Sequence, residues 1–147
     1  MNRGGHLLVG YSVGIIFFIV MNLWLGWFGK DIFTILLSLF VIGLYCLLPD
    51  VDHPISTITW IFVGVSVVGL IYGFLFDIVI AYYAFGLLCF TFFCAQFLSH
   101  RGIIHSILFC VLASLPLFFI FNIQVAALGL VSSYSHLVAD GEWFKFI

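Results

Sequence analysis

Long runs without a charged residue constrain this chain more than any other feature. Polar breaks divide it into six apolar segments, at about residues 6–28, 32–48, 55–76, 78–98, 103–121 and 123–139. A transmembrane helix needs roughly 20 consecutive apolar residues, with a range of about 17–25. The pattern therefore predicts an all-α fold, in which about six transmembrane helices form one integral-membrane domain over residues 1–147.

The composition excludes a soluble globular domain. Hydrophobic residues make up 65% of the chain and charged residues only 7%, whereas soluble domains carry about 25% charged residues. A net charge of -2 with neutral histidines offers no basic surface to nucleic acid. The four cysteines lie in apolar runs without a CxxC pair, which predicts buried thiols and no disulfide framework. Lipid must therefore be the solvent for most of the chain.

Two local patterns refine this topology. The first apolar run is longer than the core of a signal peptide, and no A-x-A-like cleavage site follows it, so we expect a retained first span. Gly10 and Gly14, and likewise Gly69 and Gly73, have the small-xxx-small spacing that allows helices to approach closely.

The remaining polar residues gather at one membrane face when six spans are drawn. Each motif is separated from the next by an even number of spans, so all five histidines and most carboxylates share the face that holds the N-terminus. Among charged residues, only Lys30, Asp31 and Asp77 fall on the opposite face. The candidate site residues on the shared face are His6, Asp50, Asp52, His53, His100, His105, His136 and Asp140.

These residue types predict a divalent metal. Neutral imidazole and carboxylate groups suit zinc, manganese or iron, and we expect zinc first. His136 and Asp140 are four residues apart, which places both on one face of a helix. A catalytic zinc usually takes three protein ligands. Eight candidates therefore predict either additional groups that orient the ligands or a pair of ions, a recurrent device for cleaving phosphoesters.

The sequence leaves structural alternatives open for several of these residues. Asp52 can cap the next helix at its N-terminus, and His53 can be a loop residue. His136 and Asp140 can form a hydrogen-bonded pair without a metal. Arg101 can anchor the membrane face, although beside a metal cluster we expect it to clamp an anionic group.

Four motifs occur in order along the chain: Gly5-His6-Leu7-Leu8, residues 47–54 (LLPDVDHP), residues 100–106 (HRGIIHS) and residues 135–140 (SHLVAD). In this order they resemble the membrane-bound metal-dependent hydrolases, a family that includes a LexA-regulated bacterial inner-membrane member. The resemblance implies an integral protein of the inner membrane whose hydrolase site uses the eight residues listed above. The chain departs from the family at Ile104, where threonine is frequent.

We therefore expect a metal-dependent hydrolase that acts at the membrane surface with metal-activated water. Asp52 or Asp140 is the expected bridging or base carboxylate, and Arg101 the expected anion clamp. Because the site lies at the end of a helical bundle, membrane lipids are the expected partners, and a phospholipid or an isoprenoid phosphate is the expected substrate. Ser106 has no triad partners, so we expect it to pack or to bond at a helix end.

Two classes of non-enzymatic function stay open beside the hydrolase. One is a divalent-metal transporter or sensor, although the predicted spans have almost no ionisable residue near their middles, which argues against transport. The other is a structural metal site that ties helix ends together. The positive-inside rule favours a cytoplasmic site and cytoplasmic termini, because Arg3, Arg101 and Lys145 share the site face and Lys30 does not.

Overall fold

The computed structural model describes residues 3–29, 31–98, 102–142 and 144–146, with side chains from residue 5 onward, and this part of the chain is helical. It contains six α-helices: α1 (Arg3–Leu25), α2 (Ile32–Leu47), α3 (Thr57–Phe76), α4 (Ile78–Phe97), α5 (Ile107–Ile120) and α6 (Ile123–Ala139). Two short 3-10 helices, Leu48–Asp52 and Ile103–His105, follow α2 and precede α5. The predicted all-α fold is confirmed.

Each polar break in the sequence marks a helix boundary, because a polar side chain there caps the helix that follows. Each of five residues accepts a hydrogen bond from a backbone N–H in the first turn of its helix. These N-cap residues are Asp31 for α2, Ser56 for α3, Asp77 for α4, Ser106 for α5 and Asn122 for α6. Asp52 does not cap α3, so that alternative is wrong: Asp52 lies within a 3-10 helix and Ser56 takes the capping role.

Four segments of the described chain are long and apolar enough to cross a membrane: Gly5–Leu25, Ile32–Asp52, Thr57–Phe76 and Ile78–Phe97. The last two helices are shorter, with 14 residues in α5 and 17 in α6. At a rise of 1.5 Å per residue they extend about 21 and 26 Å, less than the ~30 Å of a bilayer's hydrocarbon core. The six predicted spans are thus four full-length helices and two short ones.

The chain divides into two compact units. Unit 1 consists of Met1–Pro49 with His105–Ile147 and contains α1, α2, α5 and α6. Unit 2 consists of Asp50–Ile104 and contains the hairpin of α3 and α4. The single domain over residues 1–147 stays a prediction.

Glycines set the helix spacing in both units. In unit 1, α6 contacts α1, α2 and α5, and α1 also contacts α2. A Cβ at Gly10 would lie 2.4 Å from Cβ of Cys46 in α2, so only glycine fits this approach. In unit 2, a Cβ at Gly73 would lie 2.3 Å from the backbone nitrogen of Ala81. The small-xxx-small spacing seen in the sequence therefore marks real helix contacts.

Candidate metal centre

Four of the predicted ligands meet at one end of unit 1. His6 lies in the first turn of α1, His105 ends the 3-10 helix before α5, His136 lies in the last turn of α6, and Asp140 is its C-cap. The three histidines are 4%, 0% and 0% exposed, and the Asp140 side chain is 5% exposed. Because α1 begins where α6 ends, residues 134 positions apart become neighbours. The structure thus brings these four side chains together at one end of unit 1.

The carboxylate of Asp140 lies between the imidazole rings. Its Oδ1 is 3.4 Å from Nε2 of His6, and its Oδ2 is 3.4 Å from Nε2 of His136 and 3.9 Å from Nε2 of His105. His6, His136 and Asp140 each offer a ligand atom, and these atoms lie within 4.8 Å of one another. Tetrahedral zinc with bonds of about 2.0–2.1 Å holds its ligand atoms about 3.3 Å apart. The observed spacing therefore fits a metal ion.

A backbone contact fixes the His136 ring. Its Nδ1 lies 2.7 Å from the carbonyl oxygen of Cys46. A carbonyl can only accept, so Nδ1 carries the proton and Nε2 faces Asp140. Metal-binding histidines are commonly held in this way, with the second ring nitrogen donating to a carbonyl. The Cys46 thiol also donates to the carbonyl oxygen of His6, at 3.5 Å. One residue of α2 thus contacts both the α1 and the α6 member of the cluster.

The charges in the cluster favour a cation. The His6 and His136 rings are stacked, with centroids 4.0 Å apart and planes 11° apart. Two imidazolium ions in this arrangement would repel each other in a buried site. Burial raises the pKa of the Asp140 carboxyl, but the electrostatic effect of His136 and His6 outweighs it, and the pKa lies below its ordinary value. The charge of the ionised carboxylate can be balanced by a proton on a neighbouring ring or by a metal ion, which takes neutral rings as ligands.

The end of α6 fixes the position of Asp140. Gly141 adopts a left-handed conformation, with φ of 80°. The N–H of Glu142 donates to the Leu137 carbonyl at 2.9 Å, and the N–H of Gly141 donates to the Val138 carbonyl at 3.1 Å. These two bonds form a Schellman motif, which requires a left-handed residue just after the C-cap. The glycine therefore turns the chain immediately beyond the candidate ligand.

The chain beyond this turn reaches the start of α5. The N–H of Ile107 donates to the carbonyl of Lys145 at 2.8 Å, and the N–H of Leu108 donates to that of Phe146 at 3.4 Å. Both donors belong to the first turn of α5, where helical N–H groups have no partner within the helix. Ser106 caps the same turn, which confirms its expected role at a helix end. The tail thus links the end of α6 to the segment that follows His105.

The remaining predicted site residues belong to unit 2 or lie outside the described residues. Asp50, Asp52 and His53 belong to unit 2, where Asp52 is buried and Asp50 is half-buried. Nδ1 of His53 accepts a hydrogen bond from the N–H of Ile55 at 3.4 Å, so this ring nitrogen takes part in a local turn. His100 and Arg101 lie outside the described residues.

Fold and cluster together define a polytopic helical membrane protein with a buried group of histidines and an aspartate at one end of a helical unit. The model of the YdjM inner membrane protein family matches residues 1–144. The chain belongs to the YdjM inner membrane protein family. Comparisons with curated proteins and with solved structures give no match. Family membership and the apolar helices confirm the predicted integral membrane protein.

Proposed function

We propose that this protein is a metal-dependent hydrolase of the membrane surface, with His6, His136 and Asp140 as ligands of a divalent metal. Zinc is the first expectation, with manganese or iron as alternatives. The observation that carries the proposal is the convergence of these three ligand atoms, from the two ends of the chain, to within 4.8 Å of one another. His105 lies 3.9 Å from the same carboxylate and is a fourth candidate ligand.

The chain's own groups have separable roles in this proposal. A bound divalent metal supplies Lewis acidity and lowers the pKa of water. Asp140 has two oxygens and faces three rings, so one oxygen can serve as a ligand while the other orients His105. His105 is then placed to hold or pass a proton. The roles of Asp52 as a base and of Arg101 as an anion clamp are proposals from the sequence, as are Asp50, His53 and His100 as further ligands.

The proposed substrate class is a phosphoester at a lipid headgroup, in a phospholipid or an isoprenoid phosphate. The cluster lies at the end of a helical unit of a membrane protein, which is where headgroups lie. Either one ion, held by His6, His136 and Asp140, or a pair of ions fits this chemistry.

A structural metal site is the second candidate, and burial is the observation that favours it. The His105 and His136 side chains are fully buried, and those of His6 and Asp140 are 5% exposed. Structural zinc sites are closed by four protein ligands, whereas catalytic sites keep one position open. If His6, His105, His136 and Asp140 all bind one ion, the protein holds metal without hydrolysing a substrate.

Metal content tests the proposal. The full-length protein, purified in detergent without chelator and loaded with zinc or manganese, should retain metal in elemental analysis. Asp140→Asn should weaken zinc binding at least about tenfold. Glu142→Gln is the matched control, because Glu142 pairs with Lys145 outside the cluster. Protein that retains no metal contradicts the proposal, and metal without hydrolysis of any phospholipid or isoprenoid phosphate supports the structural site.

A variant series separates the predicted ligands from their neighbours. His105→Ala and Asp50→Ala should each reduce the metal content, because both residues occur in the four motifs and His105 faces Asp140. Ile104→Thr, which restores the residue frequent in the hydrolase family, should leave the metal content unchanged. Equal loss in His105→Ala and Ile104→Thr would show that folding, not ligation, causes the effect.

A further inference from the structure

Unit 2 has an apolar groove between α3 and α4, with a volume of about 430 Å³. Small-molecule sites commonly have volumes of about 300–1,000 Å³. Thr59 and Val63 line it from α3, and the segment from Leu88 to Gln96 lines it from α4. Pro54 lines the end of the groove that is nearest in sequence to Asp52 and His53. The proposed metal site uses none of the lining residues.

The groove is apolar although two threonines line it, because their hydroxyl groups donate to backbone carbonyls. The Thr59 hydroxyl donates to the carbonyl of His53 at 2.9 Å, and the Thr91 hydroxyl donates to the carbonyl of Leu87 at 2.8 Å. Both hydroxyls are therefore engaged by backbone acceptors. Gln96 lies near the end of α4, on the Pro54 side. The groove thus offers an amide at one end and hydrocarbon along its length, which suits an amphipathic ligand.

The groove has the length of one membrane leaflet. From Leu88 to Gln96, α4 rises about 12 Å, and half of a bilayer's hydrocarbon core is about 15 Å thick. Both α3 and α4 are long and apolar enough to cross a membrane. Phe92 in the groove wall is 61% exposed, and Cys89 is also exposed, so the groove opens to the surroundings of the protein. In a bilayer those surroundings are lipid chains.

We infer that this groove binds one acyl chain of a phospholipid in the leaflet on the side of Asp52 and His53. The chain lies along α4 from Ala95 towards Leu88, and the headgroup lies beside Gln96 and Pro54. The bilayer itself supplies this ligand, and the match between the groove and one leaflet favours a single chain. The inference does not depend on bound metal or on hydrolysis.

The position of the chain can be tested with the unmodified protein. The full-length protein is reconstituted in vesicles of phosphatidylethanolamine and phosphatidylglycerol that contain a phospholipid with a diazirine on one acyl chain. A diazirine close to the ester should label the α4 segment near Gln96, and one further along the chain should label it near Leu88, as mapped by peptide mass spectrometry. Labelling spread equally over Tyr83 and Phe93, which are exposed outside the groove, would overturn the inference.

A filled groove gives the matched comparison. Val63→Trp places an indole in the groove and should reduce labelling of residues 88–96 several-fold. Val68→Trp is the control, since Val68 lies on the same helix, is 67% exposed and does not line the groove; its labelling should equal that of the unmodified protein. If Val63→Trp fails to fold, Ala95→Phe fills the groove from α4 and carries the same expectation.

Two outcomes of this comparison would overturn the inference. The first is unchanged labelling in a folded variant whose groove is filled. In the second, an isoprenyl phosphate that carries the same diazirine is added and labels the groove in place of the phospholipid probe. The ligand would then be an isoprenoid chain.

Discussion

At the scale of single residues, the cluster depends on how closely α1 approaches α2. A Cβ at Gly10 would lie 2.4 Å from Cβ and 2.6 Å from Sγ of Cys46, which are distances that real side chains do not adopt. Gly10 follows His6 by one helical turn. Cys46 contacts the backbone of His6 and the ring of His136. The missing side chain of Gly10 therefore allows one residue of α2 to hold both rings in register.

Gly10→Ala should disrupt this arrangement. The added methyl group overpacks the α1–α2 contact, at a cost of about 1–3 kcal/mol in unfolding free energy, and it separates His6 from His136. We expect a lower melting temperature and weaker zinc binding in a titration of the purified protein. Gly64→Ala is the matched control, because a Cβ at Gly64 meets nothing within 4 Å. Zinc binding by Gly10→Ala that equals that of Gly64→Ala would contradict this account.

The candidate ligands could be predicted from the sequence, but their orientation could not. Histidine and aspartate at the ends of apolar runs are visible as residue types, and His6, His105, His136 and Asp140 do meet. Cys46 is predicted only as a buried thiol, whereas its backbone carbonyl orients His136. Every residue has a carbonyl, so no residue type announces that role. The small-xxx-small spacing of Gly10 and Gly14 predicts a close helix contact here, but it does not indicate which residue of which helix makes that contact.

At the scale of elements, the turn after α6 places Asp140 and leads the chain to the start of α5. Gly141→Ala should strain this turn, since a left-handed conformation costs a residue with a Cβ about 1–2 kcal/mol. We expect faster hydrogen exchange at the Ile107 and Leu108 amides, which donate to the tail, and weaker zinc binding. Gly26→Ala is the control. Gly26 also has a positive φ, of 60°, but it follows the C-terminal end of α1, whereas His6 lies near the N-terminal end. Equal exchange at Ile107 in both variants would contradict the prediction.

Element boundaries could be predicted well wherever a polar residue interrupts an apolar run. The predicted start of α2, both ends of α6 and the break at Asp77 match the structure, because Asp31, Asn122 and Asp77 are N-caps. The start of α5 lies later than predicted, since Ile103–His105 forms a 3-10 helix whose residues are as apolar as those of a span. Helices that are apolar all round carry no pattern that indicates which helices they contact, so the division into two units was not predictable.

At the scale of the whole molecule, the helices of unit 1 differ in length. α1 has 23 residues and α6 has 17, or about 34 and 26 Å. The two helices are level at the cluster, where His6 and Asp140 are 3.4 Å apart. Part of the difference therefore appears at the opposite end, where a cavity of about 320 Å³ is lined by residues such as Trp27, Thr34 and Gln124. A shorter helix in a bilayer is accommodated by local thinning or by flanking polar residues.

The membrane orientation of the cluster is predicted from the positive-inside rule, by which Lys and Arg accumulate in short cytoplasmic loops. The predicted topology places Arg3, Arg101 and Lys145 on the side of the cluster and Lys30 on the other. Arg101 belongs to a site motif and is discounted, which leaves two residues against one; Asp31 does not cancel Lys30, because acidic residues count for little in this rule. We therefore predict that the cluster faces the cytoplasm.

A fluorescent protein fused after residue 147 should be bright and an alkaline phosphatase at the same position inactive, while the same reporters fused after Gly29 should give the reverse. An active phosphatase with a dark fluorescent protein after residue 147 would place the cluster on the outer side, and the candidate substrates would then be outer-leaflet lipids or cell-envelope precursors.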